Sequence, residues 1–162
     1  MNPIRVLALA AVALMPSISL SQGAKVAFGG IQQDISAPVE IAADSLSVDQ
    51  QDGTATYAGN VVIGQGDMRL AAPRVMVVYS SKVGRIDRLE ASGGVTLVNG
   101  AEAAEANQAI YSIDRGTITM VGSVLLTQGQ NALTAERMVV NLKTGTAEMS
   151  GRVRTLLQTG GD

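Results

Sequence analysis

The chain offers little with which to do covalent chemistry. Its 162 residues include no His and no Cys, which removes the two side chains best suited to act as general base or thiolate nucleophile near neutral pH. Carboxylates and amines remain. Asp49, Asp52, Asp67, Asp87 and Asp114 fall in or beside predicted turns, where an Asp side chain accepts from the backbone two residues on. Oxygens of this kind also ligate Ca²⁺ when several converge. These five are scattered along the chain, so turn formation and solvation outweigh a metal site. Neither an enzyme nor a bound cofactor or metal is expected.

The residues that do recur at regular spacing are aliphatic. Val39, Ile41, Val61, Ile63, Leu70, Val95, Leu97, Met120, Val124, Leu126, Leu133, Met138 and Val140 form one inward line. Such side chains act by excluding water, at about 0.8 kcal/mol per buried CH₂. Any β-sandwich needs a stripe like this for its core, and on the residues alone core is the stronger reading.

The elements that position this line are repeated. Gly-x-Val occurs at residues 59–61, 93–95, 122–124 and 151–153. Eleven residues after the Val of the first three copies comes an Ala, with a second apolar residue three further on: Ala72 and Val75, Ala106 and Ala109, Ala135 and Met138. Ala43 and Leu46 open the series as a half-copy. The period is 29 residues, with one five-residue insertion around "SSKVGRI". Glycines six residues before three of the motifs (Gly53, Gly116 and Gly145) and five after the Val of three (Gly66, Gly100 and Gly129) mark turns. Between them the sequence alternates, as in Tyr57, Gly59, Val61 and Ile63 or Met120, Gly122, Val124 and Leu126, and no segment of the mature chain sustains a helical period.

The alternation slips once per repeat. Leu70 and Ala72 share a parity that Val75 and Val77 do not, and the same holds for Leu133 and Ala135 against Met138 and Val140. A bulge or corner at Pro73 and Arg74, and at Glu136 and Arg137, restores the inward face and bends the sheet around an interior.

Residues 1–21 carry one cation at Arg5, an apolar run from Val6 to Met15, and the small residues Ser19 and Ser21. This is the layout of a cleaved secretory signal; retention as a membrane anchor is the alternative, although Pro16 interrupts the run short of the ~20 residues a span wants. The reading divides the chain into a signal (1–21), a flexible N-terminal segment (22–37), a β domain (38–157) and a flexible tail (158–162). The net charge is -2 with no basic run, so no nucleic-acid partner is expected.

Three architectures can hold such an array. A membrane β-barrel needs aromatic girdles, which three Tyr and one Phe cannot supply. A parallel β-helix would tile the period, but the closely spaced glycine turns favour antiparallel hairpins. What remains is an all-β fold, an open, twisted antiparallel β-jellyroll of tandem hairpin repeats whose first and last strands are free edges.

The stretches "IAADSLSVD", "YAGNVVIGQGDMRLAAPRVMVVY", "GGVTL" and "AIYSIDRGTITMVGSVLLTQGQNALTAERMVVNLKTGTAEMSG" resemble the OstA-like family of lipopolysaccharide-transport proteins, over about Pro38 to Val153. The resemblance implies a periplasmic carrier that passes lipopolysaccharide between an inner-membrane-anchored partner and an outer-membrane receptor of the same bridge. It also implies subunits joined head to tail, and two jellyroll halves that do not close fully, so that the inward line would become a groove for the acyl chains of lipid A. The chain's poverty in aromatics and its long loop depart from the family. The edge segments would be Val39, Ile41, Leu46 and Val48 at the start and Val153, Leu156 and Leu157 at the end. Pro38, Asp44, Arg152 and Arg154 either blunt these edges or border a joint made by strand addition. A structural β-module that assembles envelope proteins without carrying lipid, or an anchored partner of the same fold, remains the alternative.

Overall fold

A computed structural model describes residues 24–27, 34–81 and 84–159; the signal assigned to residues 1–21 and the last three residues lie outside them. The described residues form eleven strands: β1 (Ala24–Ala27), β2 (Glu40–Ala42), β3 (Ser45–Asp49), β4 (Thr54–Gln65), β5 (Met68–Tyr79), β6 (Ile86–Asn99), β7 (Glu102–Ser112), β8 (Thr117–Gln128), β9 (Asn131–Asn141), β10 (Thr146–Ser150) and β11 (Arg154–Leu156). All pair antiparallel in a single sheet. From β4 to β10 each strand lies beside the next, so the tandem hairpins of the sequence are the hairpins of the fold.

Every long strand is bent in the middle. Register breaks at Ala58/Val61, Ser92/Val95 and Val121/Val124, and the Gly-x pairs of the repeat sit in these breaks. Both residues of each pair have positive φ: Gly59 (81°) and Asn60 (47°), Gly93 (91°) and Gly94 (96°), Gly122 (86°) and Ser123 (48°), Gly151 (80°) and Arg152 (47°). Two successive left-handed residues turn the strand, and glycine leads because a side chain is strained there. The alternation treats Gly59 and Gly122 as ordinary inward positions and puts the corner at Pro73–Arg74 and Glu136–Arg137. The parity change at those places is present, with Ala72, Val75, Ala135 and Met138 all buried. The left-handed residues that make the corner, however, are on the strand opposite.

The corners divide the sheet into two walls. The first contains β2, the C-terminal halves of β4, β6 and β8, the N-terminal halves of β5, β7 and β9, and β11. The second contains β3, the other halves, β10 and β1. Edge strands break where long strands bend: β2 and β3 cover the two halves of β4, and β11 and β10 those of β9. Inward side chains from both walls form one cluster. Residues 24–27, which the sequence reading placed in a flexible segment, pair with β10 from Ala24↔Met149 to Ala27↔Thr146. The open backbone groups of β10 attract them, as any unpaired edge attracts an extended segment.

Candidate lipid-binding interior and partner edges

Val61, Ile63, Leu70, Val95, Leu97, Met120, Val124, Leu126, Leu133, Met138 and Val140 all lie inside, none more than 5% exposed. Val39 and Ile41 are half-buried at the β2 end and pack against the same cluster. The thirteen residues picked from the alternation therefore share one interior, in which the facing walls are packed on each other. Sequence reasoning missed further members, among them Met68, Ile118, Leu142 and Met149. The same alternation, carried to the ends of each strand, reaches them.

The lining changes character at the rims, far from the corners. On the first wall the last inward position of β4, β6 and β8 is an amide: Gln65, Asn99 and Gln128. Cross-strand pairing sets these in one row, Gln65↔Met68↔Asn99↔Glu102↔Gln128↔Asn131. Gln128 Nε2 donates to Glu102 Oε1 at 3.2 Å, while Glu102 Oε2 is buried without a partner among the described residues. The repeated "QG", "NG", "QG" ahead of each turn is the signal for this row, which ends the aliphatic lining in polar groups.

Gln65, 1% exposed, connects three parts of the fold. Its Oε1 accepts from the Tyr111 hydroxyl on the opposite wall, and its Nε2 donates to the carbonyls of Ile35 (3.2 Å) and Ala37 (2.9 Å). Because both carbonyls can only accept, the amide orientation follows from its partners. Tyr111 is also 1% exposed. Burial pushes its phenol above the ordinary value near 10, against a smaller opposing effect of the Gln65 hydrogen bond.

A pH dependence follows from that direction. In the unfolded chain the phenol ionises near pH 10, whereas in the folded chain it keeps its proton to higher pH. Stability is therefore unaffected by this group below about pH 10 and falls as pH rises from there toward the folded value. Urea midpoints from pH 8 to 11 should drop more steeply for the parent than for Tyr111→Phe. Parallel curves would show that Tyr111 is not protected by burial.

β2 and β3 lie along β4, and β11 along β9, with unequal cover. Leu46 and Val48 stand opposite Tyr57 and Ala55 and so face inward, yet they are 54% and 60% exposed, which leaves the interior uncovered at the β3 end. Val153 is half-buried, and Leu156 at the end of β11 and Leu157 just past it are 64% and 62% exposed. Asp44 and Arg152 serve the corners: Asn60 Nδ2 donates to Asp44 Oδ2 at 2.9 Å, and Arg152 Nε lies 2.8 Å from Glu136 Oε1. Of the turn carboxylates, Asp49 accepts from the amides of Gln51 and Asp52 (2.9 and 3.2 Å). Asp87 meets Arg88 at 2.9 Å and Asp114 meets Arg85 at 3.9 Å. Among the described residues no three such groups gather as a metal site would require.

This fold has relatives. The crystal structure of LptH, the LptA homologous periplasmic component of the lipopolysaccharide transport device from Pseudomonas aeruginosa, superposes with a TM-score of 0.68 over 78% of this chain and 99% of that one. At 17% identity the likeness is one of fold. An uncharacterized protein of Rhizobium meliloti (strain 1021) is 31% identical over 116 residues, covering 67% of this chain and 62% of that protein. The lipopolysaccharide export system protein LptA of Haemophilus influenzae is 29% identical over 100 residues, 57% of this chain and 58% of that protein. The chain thus spans about 60% of the length of these two relatives. The family described as LptA/(LptD N-terminal domain) LPS transport protein matches residues 40–146, which is most of the two-walled sheet, and the chain belongs to that family.

Proposed function

We propose that the chain is a periplasmic carrier of lipopolysaccharide and a component of the bridge that moves it from the inner to the outer membrane. The observation that carries the reading is the interior itself: two walls joined through their corners, lined with aliphatic and Met side chains, bordered at one rim by amides and uncovered at the β3 end. The family is one of transport proteins, and a lining of aliphatic side chains suits holding a cargo rather than transforming it. Lipid A acyl chains would take the place of wall-to-wall contacts, Val39, Ile41, Val61, Ile63, Leu70 and their neighbours forming the lining once the walls part. Exchanging one apolar neighbour for another keeps net affinity moderate, and a carrier must let its cargo go.

The bridge half of the proposal rests on the edges. β2 and β3 at one end and β11 at the other are unlike, and joining unlike edges makes an open head-to-tail array rather than a closed dimer. Anchored partners at the two membranes would take the terminal edges by the same strand addition. One sedimentation series tests both halves, with protein from the periplasmic fraction, with and without lipopolysaccharide, over a range of concentrations. The parent should bind lipid and form a ladder of oligomers, and Leu156→Glu with Leu157→Glu should keep the lipid and lose the ladder. Absence of lipid with an intact ladder would favour the alternative of a structural module; an unchanged ladder in the variant would rule out β11 as the joint. Intact mass of the same preparation reads whether the first ~21 residues have been removed, as a secretory signal would be.

A further inference from the structure

We propose that residues 34–39 are a strap across the rims of the two walls, that Gln65 is its latch, and that the strap must lift before acyl chains can enter. The inference rests on the carrier reading given above. It begins with where the ends of the segment are fixed. β1 lies on β10, at the β10 end of the second wall, and β2 lies on β4, at the opposite end of the first wall. The chain between them has to pass from one wall to the other, and residues 34–39 do so along the rims.

The contacts place the strap over the interior. Asp34 to Ala37 form a tight turn, in which the Ala37 amide donates to the Asp34 carbonyl at 3.0 Å and the Ser36 amide donates to Asp34 Oδ1 at 2.9 Å. This turn presents the Ile35 and Ala37 carbonyls to the same Gln65 Nε2. Ile35 Cγ2 lies 3.2 Å from where a β-carbon on Gly116 would stand, beside the β7–β8 turn at the rim of the second wall. Its carbonyl is meanwhile held from the rim of the first. Ile35 and Val39 pack against the interior cluster, so the strap presents apolar side chains to the very space that acyl chains would occupy.

Gln65 closes the device because it holds the strap and the opposite wall together. Its donor is committed to strap carbonyls in part-buried hydrogen bonds and its acceptor to the Tyr111 hydroxyl in a buried one. Cutting the latch leaves the apolar strap contacts in place, so the strap would be loosened rather than lost. Binding through a rarely open state is reduced in proportion to the fraction of molecules that are open, and a looser strap raises both association rate and apparent affinity.

The test uses Gln65→Leu and the milder Tyr111→Phe, which guards against misfolding of the first. Backbone hydrogen exchange at residues 35–37 and 39 reads the strap without any lipid. Stopped-flow association with deep-rough lipopolysaccharide, labelled on its sugar, reads admission. Gln65→Leu should speed both by about tenfold, the scale of one to two buried hydrogen bonds, and Tyr111→Phe by a few-fold. Faster exchange with unchanged lipid association would overturn the strap as the gate and leave the carrier reading standing. Unchanged exchange in both variants would overturn the latch. A parent that takes up no lipid at all would fell the carrier reading and the gate with it, whatever the exchange shows.

Discussion

Leu126→Asp is expected to leave the chain unfolded at neutral pH, while Thr127→Asp, one residue along the same strand, should change stability by no more than about 0.5 kcal/mol. Leu126 is fully buried and stands opposite Ala104 on β7 and Leu133 on β9; Thr127 points outward and is exposed. Truncating a buried Leu to Ala costs about 2–5 kcal/mol. A carboxylate adds the penalty of an unpaired buried charge, several kcal/mol more. Together these reach the roughly 5–15 kcal/mol that holds a whole domain together. Val124→Asp should behave in the same way. Circular dichroism against urea makes the measurement, with Leu126→Ala as the folded intermediate case. If Leu126→Asp melts where Thr127→Asp does, the interior is open to water in the resting protein and the packed walls are wrong.

The contrast between Leu126 and Thr127 is written in the sequence as alternation, and much of the fold is legible there for the same reason. Period-two alternation and the Gly-x-Val count specify the strands, their order and their inward residues, because a strand with one buried face has little choice of register. Two things escaped. A pair of left-handed residues leaves no trace in hydropathy, so Gly59 and Gly122 looked like small inward residues when they are the corners. The attachment of residues 24–27 and 34–37 also escaped, because it depends on partners distant in sequence: the free edge of β10 and the amide of Gln65. That amide had a legible clue in its inward parity, two residues beyond Ile63, yet nothing local names Tyr111 as its partner across the interior. Whether the walls open is a question of energy between two packings, and composition is silent on it.

The corners themselves carry the second large effect. Gly122→Val should destabilise the chain by about 2–4 kcal/mol and Gly122→Ala by about 1–3 kcal/mol, from strain at a left-handed position that a β-branched residue tolerates worst. The backbone there has φ of 86°, and an added β-carbon would lie 2.6 Å from Asn107 Nδ2 and 3.0 Å from its Cβ. Asn107 is exposed, so part of the clash can relax by its movement; the backbone strain cannot. Gly122→Ala combined with Asn107→Ala should therefore recover only part of the loss. The repeat extends the expectation to equivalent sites, since a β-carbon added at Gly59 would lie 2.5 Å from Asp44 and one at Gly151 2.6 Å from Glu136, whereas one at Gly93 would have 3.2 Å to Pro73. Because the corners join the walls, a strained corner should also change how readily the walls part, and lipid association measured on the folded fraction would report it. Urea midpoints across the four Gly→Ala variants decide the structural claim: a parent-like midpoint for Gly122→Ala would mean that the motif marks some other feature than the bend.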